Sequence, residues 1–126
     1  KLHLKTLTTA YNSSPFFEFY IDDLLPIFNK KHTFLLDLNL LSHQFIVDAL
    51  QLEVSFSKTN EFLKETPLKD YRNLAISKGE PQYNLERYIQ VFEQNHGYIS
   101  NLSILDLLFM EGPNTLNYLE SQNLNL

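Results

Sequence analysis

The strongest constraint on the fold of this chain is a helical repeat of apolar residues between positions 33 and 52. At about 100° per residue, its polar side chains fall within roughly 60° of one another, at Asp37, Gln44, Asp48 and Gln51. The rest of the circumference is almost entirely Leu, Phe, Ile, Val or Ala. The pattern therefore predicts a long helix at the centre of the molecule, and the most buried one.

Three polar residues interrupt the apolar side of this helix, at Asn39, Ser42 and His43. Buried polar groups in folded proteins are hydrogen-bonded, and in a helical protein the partner is often on a neighbouring helix. We therefore expect an interhelical hydrogen-bond network at these positions.

Two further helices are predicted before this segment. Apolar side chains recur at helical spacing over Leu2–Tyr11. A second helix is expected to begin at Pro15, with Ser14 as its N-cap. Because Pro26 has no amide N–H, this second helix should kink or end near Leu25.

The second half of the chain is less regular. Residues 57–80 are expected to be rich in loops, and residues 88–92 form either a short extended segment or a helical turn. Residues 101–110 predict a short apolar helix, which Gly112 and Pro113 end, and a last short helix follows. The fold class is therefore mainly α, a single compact helical domain over residues 1–126 with a loop-rich middle and at most short strands.

Composition narrows the classes of function. The sequence has no Cys, which excludes disulfides and thiolate zinc sites and predicts a cytoplasmic location. A net charge of -5 with scattered basic residues argues against nucleic-acid binding. No apolar run approaches the roughly 20 residues of a bilayer span. The histidines show no metal-ligand spacing, so we expect neither a metal nor another cofactor.

Asp106 lies among apolar residues and is a candidate functional carboxylate, which would orient a His or act as a base. The more common explanation is a helix cap, since Ser103-x-x-Asp106 has the form of a capping box. His96, beside Gly97 on a predicted loop, suits either a polar pocket or an exposed surface position. Arg72 could clamp a phosphate or carboxylate, or it could simply pair with Asp70.

The run from Gln90 to Asn114 resembles the WbqC-like family, and its specific part reads N-L-S-I-L-D-L-L-F at residues 101–109 and G-P at residues 112–113. Weaker matches lie at residues 9–11 with 15–20, at residues 34–39 and at residues 70–72. The resemblance indicates the C-terminal portion of a longer WbqC-like protein, which would have its missing N-terminal portion as a partner. It implies a role in bacterial surface-polysaccharide (O-antigen type) biosynthesis, as a transferase acting on an activated sugar or acyl donor.

The matched positions supply the candidate site. His96 would exchange a proton and Asp106 would orient it, while Arg72 would hold a phosphate or carboxylate. The other ligand-binding candidates are Asn101, Ser103, Glu111 and Gly112. The donor would be a nucleotide sugar or an acyl compound. The alternative is a non-catalytic helical interaction module that docks a partner through its apolar helices.

Overall fold

The structure, a computed structural model, describes residues 2–74 and 83–124, apart from the side chain of Asn73. Its helices are α1 (Leu2–Tyr11), α2 (Phe17–Asn29), α3 (Leu35–Ala49), α4 (Glu93–His96), α5 (Ile104–Glu111) and α6 (Thr115–Ser121). Two 3-10 turns lie at Arg72–Leu74 and Gly112–Asn114. Neither described range contains a strand, so the prediction of a mainly α fold is confirmed. Residues 75–80 of the expected loop region lie outside the described residues.

The corner between α1 and α2 differs from the sequence prediction. Ser14 does not cap α2, because its hydroxyl and its amide both donate to the carbonyl of Tyr11 at the end of α1. The chain then turns, and α2 begins at Phe17. The amide of Phe16 donates to the carbonyl of Phe109 at 3.0 Å, which ties the corner to α5. Ser14 therefore ends one helix rather than starting the next.

α2 continues through Pro26 to Asn29, so the predicted end near Leu25 is wrong. A proline inside a helix costs about 3 kcal/mol, partly through the lost hydrogen bond to the carbonyl four residues earlier. Ile27 is only 8% exposed, and full burial of such a side chain contributes about 1.5–3 kcal/mol. The apolar face of α2 thus extends past the proline, and its burial offsets much of the cost.

α3 packs against α2, but it is not the most buried helix. Only Phe45 and Val47 are buried within it, and Leu35 at its start is 71% exposed. Half of the residues of α5 are buried, so that shorter helix is the central one. The prediction failed because periodicity shows which face of a helix is apolar, and not which element covers it.

The expected interhelical network on α3 is also wrong. Ser42 donates to the carbonyl of Leu38 in its own helix at 2.9 Å. His43 is exposed, with its ring edge-to-face against Phe56 at 5.2 Å, and Asn39 is exposed. These polar residues need no partner on another helix because the described structure leaves this side of α3 open to water.

The core joins α1, α2, α3 and α5 around Phe109, which is fully buried. The ring of Phe109 lies 5.2 Å from that of Phe17 and 5.3 Å from that of Tyr11, in tilted and edge-on arrangements that aromatic pairs favour. α5 ends at Gly112, whose positive φ of 52° brings its backbone against the ring of Phe16.

A side-chain amide closes the loop that carries α4. Gln90 is 6% exposed, and its Nε2 donates to the carbonyl of Ile99 at 2.7 Å. Its Oε1 accepts from the amide of the same residue at 2.9 Å. Both groups of one buried side chain thus satisfy both backbone groups of one residue, as a partner strand would do.

Replacement of Gly112 by Ala is expected to destabilise the protein by about 2–4 kcal/mol, from a positive φ and from steric overlap. A Cβ at this position would lie 2.5 Å from ring carbons of Phe16. Gly97→Ala is the matched control, since its φ is +73° but nothing lies within 4 Å of the added Cβ. That variant should lose about 1–3 kcal/mol, and less than Gly112→Ala, because it has the backbone strain without the steric overlap. Urea unfolding of both variants measures the difference, and equal losses would show that the Phe16 contact is unimportant.

Candidate functional site

A buried carboxylate links three parts of the chain. Asp106, on α5, is 2% exposed, and the hydroxyl of Tyr88 donates to its Oδ1 at 2.8 Å. Tyr11, at the end of α1, also places its hydroxyl against this carboxylate. Ser103 caps α5, because its hydroxyl accepts from the amide of Leu105 at 3.3 Å. The cap predicted from the sequence is therefore present at Ser103, while the carboxylate of Asp106 serves the two tyrosines.

Burial and the neighbouring carboxylate determine how the tyrosines ionise. Burial first, and Asp106 second, raise the pKa of Tyr11 from its ordinary 10.0 to about 12. The pKa of Tyr88 is also raised well above its ordinary value, by burial and then by its hydrogen bond to Asp106. Both phenols are therefore neutral donors at physiological pH, which is the form that a buried carboxylate requires.

Tyr88 also forms part of a polar cleft of about 330 Å³ between α6 and the segment before α4. The polar cleft is lined by Glu86, Arg87, Tyr88, Glu111, Asn114, Asn117, Tyr118 and Ser121. The last four of these are spaced i, i+3, i+4 and i+7, and residues at that spacing share one face of a helix. One polar face of α6 therefore forms a wall of the cleft.

Hydrogen bonds hold the side chains of this wall. Asn114 donates to the carboxylate of Glu111 at 2.9 Å and accepts from Asn117 at 3.4 Å. The hydroxyl of Tyr118 donates to the carbonyl of Glu86 at 2.5 Å, so the two sides of the cleft are joined. Burial, followed by Tyr98, raises the pKa of Tyr118 to about 12, so this hydroxyl also stays protonated.

A cation lies at the edge of the polar cleft. Arg87 pairs with Glu93, and its guanidinium lies 5.0 Å from the centre of the Tyr98 ring. The side chain of Arg87 is 68% exposed, so water screens the ion pair and a stronger anion could displace Glu93.

An apolar pocket of about 250 Å³ adjoins the polar cleft, since Tyr88 and Tyr118 line both. The two rings meet edge-on, with centroids 5.4 Å apart. Asn101, a predicted ligand-binding residue, lines this apolar pocket and has a positive φ of 57°. The tyrosine pair thus separates a polar compartment from an apolar one.

The two predicted catalytic residues have different surroundings in the structure. His96 is exposed at the end of α4, where its ring lies 6.4 Å from that of Phe92. Asp106 has Tyr88 and Tyr11 as partners. The catalytic roles assigned to His96 and Asp106 stay predictions, but orientation of the histidine by this carboxylate has no support in these contacts.

Arg72 organises its own loop. Its guanidinium donates to the carboxylate of Asp70 and to the carbonyls of Leu63 and Lys64, and it lies 5.5 Å from the centre of the Phe62 ring. The paired guanidinium lowers the pKa of the Asp70 carboxyl to about 2. Pairing with Asp70, the alternative considered from the sequence, is thus present. The proposed anion clamp stays a prediction.

Among the predicted ligand-binding residues, Glu111 lies in the polar cleft, while Gly112 forms the corner against Phe16. Sequence reasoning missed Tyr88 and Tyr118 as site residues. The spacing of residues 114, 117, 118 and 121 could have indicated the polar face of α6. Nothing in the sequence indicated what that face would meet.

Within residues 2–74 and 83–124, no three His, Asp or Glu side chains are grouped as a metal site would need. No helix in the same ranges is both long enough and apolar enough to cross a bilayer.

Comparison with known proteins establishes the family. Residues 1–90 match the WbqC-like protein family. The chain belongs to the WbqC-like family. No curated protein and no solved structure was found to match it.

The match also corrects where the resemblance lies. It covers the N-terminal part of this chain and not the C-terminal run, where the sequence resemblance was placed. The run after Gln90, which carried the sequence resemblance, lies beyond the matched residues. Glu86, Arg87 and Tyr88 are within the match, whereas α5 and α6 are outside it. The polar cleft therefore lies between a matched and an unmatched part of this WbqC-like chain.

Removal of one hydroxyl tests the buried carboxylate. Tyr88→Phe keeps the ring but leaves Asp106 short of a donor, and this should cost about 1–3 kcal/mol of unfolding free energy. Tyr98→Phe is the control, because its hydroxyl donates at 3.1 Å to an exposed backbone carbonyl. That variant should lose less than about 1 kcal/mol. Equal losses in denaturant titrations would contradict the importance of the buried bond.

Alkaline titration tests the same network without changing the core. A phenol whose pKa is raised on folding stabilises the fold fully below pH 10, and this contribution is lost as the pH rises towards 12. Asp106→Asn should lower the pKa of Tyr11 but leave it above 10.0, because burial is the larger cause. Phenolate absorbance follows the titration, and Tyr11→Phe identifies the phase. A Tyr11 phase near pH 10 in the unmodified protein would refute the burial of this hydroxyl.

Proposed function

We propose that this WbqC-like protein acts in bacterial surface-polysaccharide (O-antigen type) biosynthesis by binding an activated sugar in the polar cleft. The observation that carries the proposal is the composition of the cleft wall, in which the carboxylate of Glu111 at the end of α5 is followed by amide and hydroxyl groups at Asn114 and along α6. Each hydroxyl of a sugar both donates and accepts a hydrogen bond. A wall that offers donors and acceptors side by side complements a row of such hydroxyls.

The polar groups have distinct parts in this proposal. Glu111 can only accept, so it would bind a sugar hydroxyl as donor, while Asn114 and Asn117 can do either. The rings of Tyr88 and Tyr118 would support the apolar C–H face of the sugar. The cleft volume of about 330 Å³ is at the small end of the range for ligand sites, which suits one sugar unit.

The activating group would lie at Arg87. Guanidinium binds phosphate in a bidentate manner, and the exposed pair with Glu93 is weak enough for a diphosphate to replace it. This geometry supports a nucleotide sugar better than an acyl donor, because the anionic group and the polar wall adjoin.

The proposal extends from binding of an activated sugar to a transferase reaction. Asp106 would act as a positioning residue, because it fixes the hydroxyl of Tyr88 at the cleft wall. His96 stays a proposed proton carrier. The absence of cysteine from the sequence agrees with a reducing compartment, so the proposed location is the cytoplasm.

The second candidate is a non-catalytic interaction module. Its support is apolar exposure on α2 and α3, where Phe19 is 70% exposed and Leu35 is 71% exposed.

An NMR titration with UDP-glucose and UDP-N-acetylglucosamine tests the first candidate. We expect shifts at Asn117, Tyr118 and Arg87, and about tenfold weaker binding for Glu111→Gln, since a hydrogen bond to a charged group is worth about 1.5–3 kcal/mol. Glu120→Gln is the control, because it makes the same change at an exposed position of α6 outside the cleft. If neither nucleotide sugar shifts the cleft resonances, the sugar-binding proposal fails.

A further inference from the structure

The groove between α2 and α3 has an apolar floor and an acidic edge. Tyr20, Ile27 and Phe45 are each less than 9% exposed and form its floor. Its rim includes Phe19 at 70% exposure and Leu41 at 37% exposure. The groove encloses about 490 Å³. Its depth and its exposed aromatic rim are typical of surfaces that receive side chains from another molecule.

The charged side chains that line the groove are acidic. Asp23 and Asp48 line it, together with the uncharged amides of Gln44 and Gln51. Within the described part of the chain, no Lys, Arg or His lines this groove. Gln44 donates to the carboxylate of Asp48 at 2.7 Å, which fixes that carboxylate on the α3 side. Asp23 belongs to α2, so the acidic groups come from both sides of the groove.

Basic residues begin only beyond the far end of the groove. A neighbouring depression shares Leu41 and is lined by Lys30, Lys31 and His32 together with Asp37. A cationic partner is therefore attracted more strongly to the end with Asp23 and Asp48 than to this depression of mixed charge. This distribution selects the sign of the partner and its position along the groove.

We infer that the α2–α3 groove binds an amphipathic helix of a partner protein, with an apolar face flanked by Lys or Arg. The apolar face covers Ile27 and Phe45 between the exposed rim residues, and the basic side chains reach Asp23 and Asp48. Charge complementarity carries the choice of partner.

This inference is independent of the polar cleft, since the two sites share no residue. It makes the interaction-module candidate specific, because it names the surface and the chemistry of the partner. Failure of sugar binding would leave it intact, and the reverse also holds.

The test uses two synthetic helical peptides of equal length and pattern, one of Leu and Lys and one of Leu and Glu. The full chain should bind the Lys peptide, with NMR shifts concentrated at Ile27, Leu41 and Ala49, and should not bind the Glu peptide. Binding should weaken as salt is added, because the contacts with Asp23 and Asp48 are exposed.

Matched variants distinguish binding of the Lys peptide in the groove from its nonspecific attraction to an acidic protein. Asp23→Asn with Asp48→Asn should weaken binding of the Lys peptide about three- to tenfold, and both positions are exposed, so the fold is kept. Glu61→Gln with Glu65→Gln removes the same charge from an exposed loop and should change affinity by less than about twofold. Equal effects of the two pairs, or shifts spread over the surface, would overturn the inference.

The rim provides a second readout. Phe19→Ser, at an exposed position, should weaken the Lys peptide without changing the unfolding midpoint. Sedimentation identifies another occupant of the groove. If the unmodified chain is a dimer and Phe19→Ser makes it a monomer, the groove holds a second copy of the chain and the partner-helix inference is wrong.

Discussion

The arrangement of this fold depends on one buried negative charge. Asp106 lies on the central helix α5, where water is excluded, and the described structure gives it phenol hydroxyls rather than a cation. An isolated carboxylate is very costly in such a place, so the surrounding chain has to supply donors. Those donors come from Tyr11, at the end of α1, and Tyr88, in the segment before α4. The charge therefore fixes the relative positions of three elements that apolar contact alone would leave free to slide.

The same constraint shapes the surface near it. Once Tyr88 is held by Asp106, its ring lies against Tyr118 and separates the polar cleft from the apolar pocket. A buried group with no direct access to solvent thus determines the geometry of an exposed site. Residues of this kind are usually read as structural, and under the proposed function Asp106 would also position Tyr88 at the cleft wall.

Local features of the sequence predicted most of the helices, because a period of 3.6 residues is a property of the segment itself. Leu2–Tyr11 and the short helix before Gly112 were found in this way. The buried carboxylate was also recognised from its apolar neighbours. Its partners were not, since Tyr88 and Tyr11 become neighbours of Asp106 only after the chain folds back.

The wrong predictions have one cause in common, because each depended on a tertiary contact that the local sequence does not encode. Ser14 is of a residue type that favours the N-cap position, but it does not cap α2. The amide of Phe16 is hydrogen-bonded to the carbonyl of Phe109, and α2 begins only after this corner, at Phe17. α3 is apolar around most of its circumference, yet Phe45 and Val47 are its only buried residues. In both cases the residue types were read correctly and the missing information was the position of another element.

The double hydrogen bond of Gln90 has a consequence for how this chain can vary. Because one side chain pairs with both backbone groups of Ile99, the number of residues between them is fixed. An insertion or deletion inside this loop would shift a different residue into register and leave buried polar groups without partners. The exposed stretch 53–61, which has no regular structure and precedes the contacts of Arg72, carries no such constraint. Changes in chain length should therefore be tolerated in the middle of the protein and rejected around α4.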